Sequence, residues 1–327
     1  MKVTMALADV VTLSCLRPPA GETVLARTFK TLVDDPRGEL FAWTADQLLD
    51  AMCDRLEVPI EARGAAVAEA RRYAGLALDR AEREGLTPIP CTDERYPSWL
   101  WEVADPPPVL WVKGVAGAVA VPAVAVVGSR HASPAGLALA RQLGHGLAEV
   151  GLLVVSGLAR GVDGASHEGA LEAGGRTLGV LGCGADVIYP AEHRDLTARV
   201  AASAGVWSEL PPGTTPQPHY FPLRNRIISG LSRAVVVIEA GERSGSLITA
   251  RMALEQGREV LAVPGSVLSG RSRGCHALIK DGARLVETVG DVLDELGWAR
   301  PDESTERMDS KSLPIRSEEH TSELQSH

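Results

Sequence analysis

Cysteine is sparse in this chain and never paired in sequence. Cys15, Cys53, Cys91, Cys183 and Cys275 are scattered over 327 residues, and no Cys-x-x-Cys occurs. That argues against a disulfide framework or a zinc site, and for buried thiols in a reducing compartment. Long apolar runs are missing too: none reaches the roughly 18 residues that a membrane span needs. No secretory leader shows at the start, where Met1-Lys2 runs into a short mixed stretch containing Asp9. The expectation is a cytoplasmic protein without a membrane segment, metal or cofactor.

Excess positive charge is also lacking, since the net charge is −9 at pH 7. The deficit is uneven. Residues 1–119 carry 13 Lys+Arg against 18 Asp+Glu, residues 120–287 carry 16 against 14, and residues 288–327 carry 4 against 10. The middle segment therefore tolerates a local basic groove. Its cations are almost all arginine, the side chain suited to bidentate phosphate contacts. What is present in quantity is apolar: 45% of residues are hydrophobic, enough for a sizeable core without metals or disulfides.

The chain divides by pattern. Residues 1–84 have helix-forming composition, with apolar positions three and four apart in 44–56 and 61–83, and with the breaker Asp34-Asp35-Pro36-Arg37-Gly38 interrupting the segment. Residues 86–90 suit a short strand, and Pro106-Pro107-Pro108 forbids helix before the apolar Val109–Val112 stretch. From residue 124 short apolar runs alternate with helical segments. Strands are expected at 124–127, 152–156, 177–181, 205–209, 234–239, 259–263 and 284–286. Helices are expected at 135–149, 164–173, 192–204, 225–231, 246–255 and 291–296. Continuously apolar, β-branched strands alternating with helices imply an α/β fold with a doubly wound, mainly parallel sheet covered on both faces. Residues 298–315 read as a polar linker or tail. Residues 316–327 (RSEEHTSELQSH) resemble the translation of a sequencing-adapter oligonucleotide and are set aside from fold reasoning.

Five strands run into glycine-containing turns: Gly128-Ser129-Arg130, Gly157-Leu158-Ala159-Arg160-Gly161, Gly182-Cys183-Gly184, Gly241-Glu242-Arg243-Ser244-Gly245-Ser246 and Pro264-Gly265-Ser266. In a parallel sheet all these turns lie on the carboxyl edge, where such folds bind ligands. Glycine admits close backbone approach, and the helices that follow present N–H groups and a positive dipole end. Arg130, Arg160 and Arg243 fall on that edge. Ser244, Gly245 and Ser246 open a helix, where the serines suit either capping or phosphate binding. Tyr220 and Phe221 precede Pro222-Leu223-Arg224-Asn225-Arg226. Cations in a first helical turn oppose the macrodipole, so one of Arg224 and Arg226 is expected to meet a ligand and the other to pair internally. Either aromatic suits stacking on a base; core packing explains Phe221 equally well.

These segments in this order resemble the DprA/Smf (DNA-processing protein A) family. The resemblance is carried by Val126–Arg130, Ser156–His167, Phe221–Ser232, Ser244–Ala250 and Val263–Gly265. Tyr96-Pro97, Asp105–Pro108 and Leu278–Ala283 extend it over residues 85–297. It implies an extended Rossmann-like domain preceded by a small helical, SAM-like domain. It also implies a non-enzymatic protein that binds single-stranded DNA and hands it to the RecA recombinase in DNA uptake, natural transformation and recombination, commonly as a homodimer. The family's DNA-contacting arginine falls on Arg130, and Phe221 to Arg226 would border the same groove. In that mechanism the N–H groups of Gly128, Gly157 and Gly245, with Ser129 and Ser246, hold phosphates, and Arg130, Arg160 and Arg224 supply charge. The chain departs from the pattern at His193 and His276, where the family usually has asparagine. Many relatives carry a winged-helix-like tail after the region of resemblance.

Two enzymatic readings fare worse. A nucleoside-monophosphate phosphoribohydrolase of a related group needs a glutamate where this chain has Thr249, so general acid–base work lacks its agent. A dinucleotide-dependent oxidoreductase needs Gly-x-Gly-x-x-Gly, and the first turn here is Gly128-Ser129-Arg130-His131-Ala132-Ser133.

Overall fold

The computed structural model describes residues 6–16 and 44–298 apart from 118 and 120, together with positions 27 and 30. The Asp34–Gly38 breaker and the tail beyond residue 298 lie outside the described residues.

Among the described residues come first the helices α1 (Leu7–Ser14), α2 (Ala45–Arg55) and α3 (Ile60–Glu84). Thr44 and Gln47 form a capping box that starts α2. Gly85, in the left-handed region at φ 66°, stops α3. Then follow β1 (Leu86–Pro90), α4 (Ser98–Trp101), β2 (Val109–Lys113), β3 (Ala123–Gly128), α5 (Pro134–Glu149), β4 (Leu153–Ser156) and α6 (Val162–Glu172). The chain continues through β5 (Thr177–Val180), α7 (Arg194–Ser203), β6 (Val206–Ser208), α8 (Tyr220–Gly230), β7 (Ala234–Ile238) and α9 (Gly245–Glu255). It ends in β8 (Glu259–Ala262), α10 (Arg273–Lys280), β9 (Arg284–Leu285) and α11 (Val289–Leu296).

The nine strands among the described residues form one sheet in the order β1-β2-β6-β5-β4-β3-β7-β8-β9. From β6 to β9 every pairing is parallel; β1 and β2 add an antiparallel edge. This is the Rossmann-like, doubly wound α/β arrangement the pattern predicts. Alternation along the central strands explains why they read as unbroken apolar runs. Ala125 and Val127 of β3 with Val235 and Val237 of β7 face one core, which Ile227, Ile228, Ala250 and Ala253 of α8 and α9 complete. Val124 and Val126 with Val236 and Ile238 face the other, completed by Leu143 and Leu147 of α5 and Ala170 of α6. Each fully buried valine or leucine contributes about 1.5–3 kcal/mol, so a residue facing either way must be apolar.

The N-terminal helices pack on the antiparallel edge. Their buried residues, among them Val11, Met52 and Ala74, share a core with Leu86, Val109 and Trp111. Arg80 of α3 also reaches the buried carboxylate of Asp186, at 2.8 Å.

Strand order reverses between β3 and β7: the chain leaves β3 toward β4 on one side, and β7 leads to β8 on the other. A crevice opens at such a switch point, outside the carboxyl ends of the two strands.

Candidate nucleic-acid interface

The crevice is a groove of about 1580 Å³, open to solvent. One wall is the β3–α5 turn with Gly128, Ser129, Arg130 and His131; the other is the β7–α9 turn with Gly241 and Arg243 to Ser246. Phe221, Arg224 and Asn225 of α8 and the ring of Tyr189 form its floor and end. A smaller cavity of about 400 Å³ adjoins it beneath Tyr189 and Phe221, with Arg130, Arg160 and Arg224 in its lining.

Arg130 is exposed, and its guanidinium lies 5.2 Å from the centroid of Phe221. That cation–π contact holds the charge over the groove without neutralising it. Phe221 also meets Tyr189, with ring centroids 5.3 Å apart. Among the described residues neither Arg130 nor Arg243 has a carboxylate partner within salt-bridge distance. Across the groove, Ser244 caps α9: its hydroxyl accepts the Ser246 N–H and bonds the Ser246 hydroxyl at 2.7 Å. A side chain at Gly245 would meet nothing within 4 Å, so this helix N-terminus faces open space.

The remaining anticipated residues separate from this set. Helix α8 begins at Tyr220, five residues before the predicted start, which moves Arg224 and Arg226 into its second turn. Pro222 is accommodated at the third helical position, where the missing N–H would have no intrahelical partner. Both arginines are buried, so neither is a surface phosphate ligand. Arg224 is 6% exposed. Its Nη1 donates to the carbonyls of Gly157, at 2.9 Å, and Val180. Burial lowers its pKa to about 10, so it stays charged at neutral pH and contributes a fixed positive potential beneath the groove. Arg226 lies elsewhere, under the Asp105–Pro108 loop. Its Nε donates to the Asp105 carbonyl at 3.0 Å, its guanidinium pairs with Asp105 and Glu209, and it lines neither cavity. Burial alone would depress its pKa; the two carboxylates more than reverse that. Tyr220 faces a different cavity, beside Tyr73 and Arg80 of α3, so of the two aromatics only Phe221 is in the groove. Asn225 is in it, donating to the Gly245 carbonyl at 3.4 Å. Arg160 is exposed at the rim, but its charge is paired with Glu192.

Two glycines expected to approach phosphate instead make room for the protein's own atoms. A Cβ on Gly157 would lie 2.1 Å from the Arg224 guanidinium, and one on Gly128 would lie 2.0 Å from the Ile238 carbonyl. The Gly157 N–H is taken as well: it donates to buried Asp163 at 3.1 Å, as does Ala159 at 3.4 Å. Burial raises the Asp163 carboxyl, against the pull of Arg224 and these N–H groups. A resident carboxylate thus fills the turn before α6. His193 and His276 each place a ring nitrogen on a main-chain carbonyl, of Leu158 at 3.0 Å and Gly265 at 2.9 Å. His167, near Asp163 and Ser166 in sequence, bonds Thr177 instead, at 2.6 Å, so no catalytic triad forms.

The family model of DNA recombination-mediator protein A matches residues 87–297. The chain belongs to this DprA/Smf family. It is 48% identical to the DNA processing protein DprA of Streptococcus pneumoniae over 203 residues, 62% of this chain and 72% of that protein. Protein Smf of Escherichia coli is 46% identical over 209 residues, 64% of this chain and 56% of that protein. Among solved structures, DprA from Streptococcus pneumoniae superposes with a TM-score of 0.76 at 38% identity, covering 90% of this chain and 99% of that one. DprA from Helicobacter pylori, whose structure was described for its single-stranded DNA binding mode, gives a TM-score of 0.59 at 27% identity over 64% of this chain and 95% of that one. Within this DprA/Smf chain, sequence reasoning passed over Tyr189, whose signal was no more than an aromatic before Pro190, and Asp163 and Glu239, whose contacts are described above and below. Among the described residues no helix is long and apolar enough to cross a membrane, and no three His, Cys, Asp or Glu side chains gather as metal ligands.

Proposed function

We propose that this DprA/Smf chain binds single-stranded DNA across the β3/β7 switch point and passes it to the RecA recombinase during DNA uptake and recombination, as a cytoplasmic homodimer without catalytic activity of its own. The observation that carries the DNA-binding reading is the pairing of two arginines, Arg130 and Arg243, that have no carboxylate partner among the described residues, with an aromatic floor at Phe221 and Tyr189 and an open helix N-terminus at Ser244–Ser246. Cations with exposed rings suit a strand whose bases are free to stack, and give little sequence preference. The resemblance and the Helicobacter pylori relative support the same reading. RecA delivery and dimerisation rest on the resemblance alone. The phosphoribohydrolase reading finds only buried Thr249 where it needs a carboxylate.

The test is fluorescence anisotropy with labelled poly-dT and with a duplex of equal length, from about 50 to 200 mM salt. The single strand is expected to bind more tightly. Each phosphate contact to a single strand contributes about −0.7 to the slope of log K against log salt, so two or three contacts give a slope near −2. Duplex preference or salt-independent affinity would contradict the proposal.

A further inference from the structure

We propose that Glu239 is the positioning residue of this groove: its carboxylate clamps the turn that carries Arg130. The inference rests on the DNA-binding reading for its effect on affinity, but the clamp itself is independent of any ligand.

Glu239 follows the last residue of β7 and has φ 48°, in the left-handed region. A side chain is strained there, and glycine would adopt the conformation freely. Such a residue persists where its surroundings demand it, which makes its contacts informative. The carboxylate of Glu239 accepts the Ser133 N–H at 2.7 Å and also accepts the Ser133 hydroxyl. With its proton given to Glu239, that hydroxyl still accepts the Gly136 N–H at 3.1 Å and caps α5. Gly136 lacks a side chain where the carboxyl lies: a Cβ there would sit 2.6 Å from Glu239 Cδ.

The other end of the turn is tied to the preceding residue. Gly128 is in register with Ile238, and the Ser129 N–H donates to the Ile238 carbonyl at 3.3 Å. The turn from Ser129 to Ser133 is therefore tied at its two ends to Ile238 and Glu239, two consecutive residues of one strand end; its Ser129 and His131 carbonyls also accept the Val162 N–H at 3.1 Å and Arg271 Nη1 at 2.8 Å. Arg130 projects from its middle, over Phe221 and without a carboxylate of its own. Glu239 does not line the groove, so it acts on DNA only through this turn. Charge-assisted bonds of this kind are strong enough to fix the geometry that a binding side chain needs.

The comparison is Glu239→Gly with Glu239→Gln. Glycine relieves the backbone strain and removes the clamp, so loss of fold does not confound it. Glutamine keeps an acceptor for the Ser133 N–H and offers a donor to its hydroxyl. Amide hydrogen exchange of residues 129–136, measured without DNA, is expected to rise in Glu239→Gly and to stay near wild type in Glu239→Gln. Poly-dT affinity is expected to fall about tenfold in Glu239→Gly and less than about threefold in Glu239→Gln. On an Arg130→Ala background Glu239→Gly is expected to add less than about a twofold further loss, because the clamp acts through Arg130. Ser133→Ala, which removes one bond from the other side, is expected to weaken binding in the same direction. Unchanged exchange in Glu239→Gly, or fully additive affinity losses with Arg130→Ala, would overturn the proposal. Failure of the wild-type chain to bind poly-dT would instead refute the DNA-binding reading, with the exchange measurement still deciding the clamp.

Discussion

Arg226→Met is expected to lower the unfolding free energy by about 3–5 kcal/mol, and to leave the affinity of the remaining folded protein for single-stranded DNA unchanged. Arg226 is 3% exposed; the side chains of its partners are 12% exposed at Asp105 and 17% at Glu209. It donates to the Glu209 carboxylate and to the Asp105 and Leu223 carbonyls, and its Nε lies 3.2 Å from the Asp105 carboxylate. Removing the cation leaves two carboxylates facing each other in a poorly solvated pocket, the arrangement that makes breaking a buried pair far more destabilising than the pair is stabilising. The Asp105–Pro108 loop would loosen at its Asp105 end, while the Tyr96 hydroxyl donating to the Pro107 carbonyl at 2.8 Å and the Cys91 N–H donating to the Pro108 carbonyl at 2.9 Å still hold its other end. Urea denaturation reads the effect. Against a domain stability of about 5–15 kcal/mol, a loss of this size moves the midpoint far outside error. A loss under about 1 kcal/mol would mean that the pair behaves as a surface bridge. An affinity loss in the folded fraction would return Arg226 to the groove.

Acid is expected to destabilise the protein through His167. This ring is completely buried, and its pKa is lowered to about 3, by burial first and then by the charges of His193 and Arg224. The Thr177 hydroxyl gives its proton to the Val154 carbonyl at 2.8 Å, so His167 donates to Thr177 from Nδ1, while its Nε2 has no partner among the described residues. The neutral ring is what the fold accommodates. Below pH 6.5 the unfolded chain takes up a proton that the folded chain refuses, so stability falls as pH falls. The slope is about 1.4 kcal/mol per pH unit between roughly 6.5 and 3, and the accumulated loss is about 4–5 kcal/mol. His167→Asn retains a donor in the Nδ1 position and does not titrate. It is expected to be less stable at pH 7, for loss of packing, yet to show a flatter stability curve between pH 6 and 4. Parallel curves for wild type and variant would show that His167 does not carry the effect.

Much of the sheet was legible because its physics is local. A strand buried on both faces must be apolar throughout and must end where the chain turns, so Ala234–Ile238 before Gly241 or Thr177–Val180 before Gly182 declare themselves. Most predicted boundaries lie within a residue or two of those observed. Short helices beside proline and glycine, α4 and α10, carry too few turns for a period and were not anticipated. The groove was legible as an edge, from glycines following strands, but not residue by residue. Whether an arginine faces solvent depends on carboxylates remote in sequence: Arg226 finds Asp105 across 121 residues, and Glu239 finds Ser133 across 106. No local pattern encodes those distances, so which of Arg224 and Arg226 pairs internally was not legible until the fold separated them.

Salt titration of poly-dT binding by the full chain and its Arg130→Ala variant tests the central claim most directly. The variant is expected to bind about tenfold or more weakly, the worth of one charge-assisted contact, with a salt slope flatter by about 0.7. Equal affinities and slopes in two equally stable proteins would contradict a DNA groove at the β3/β7 switch point.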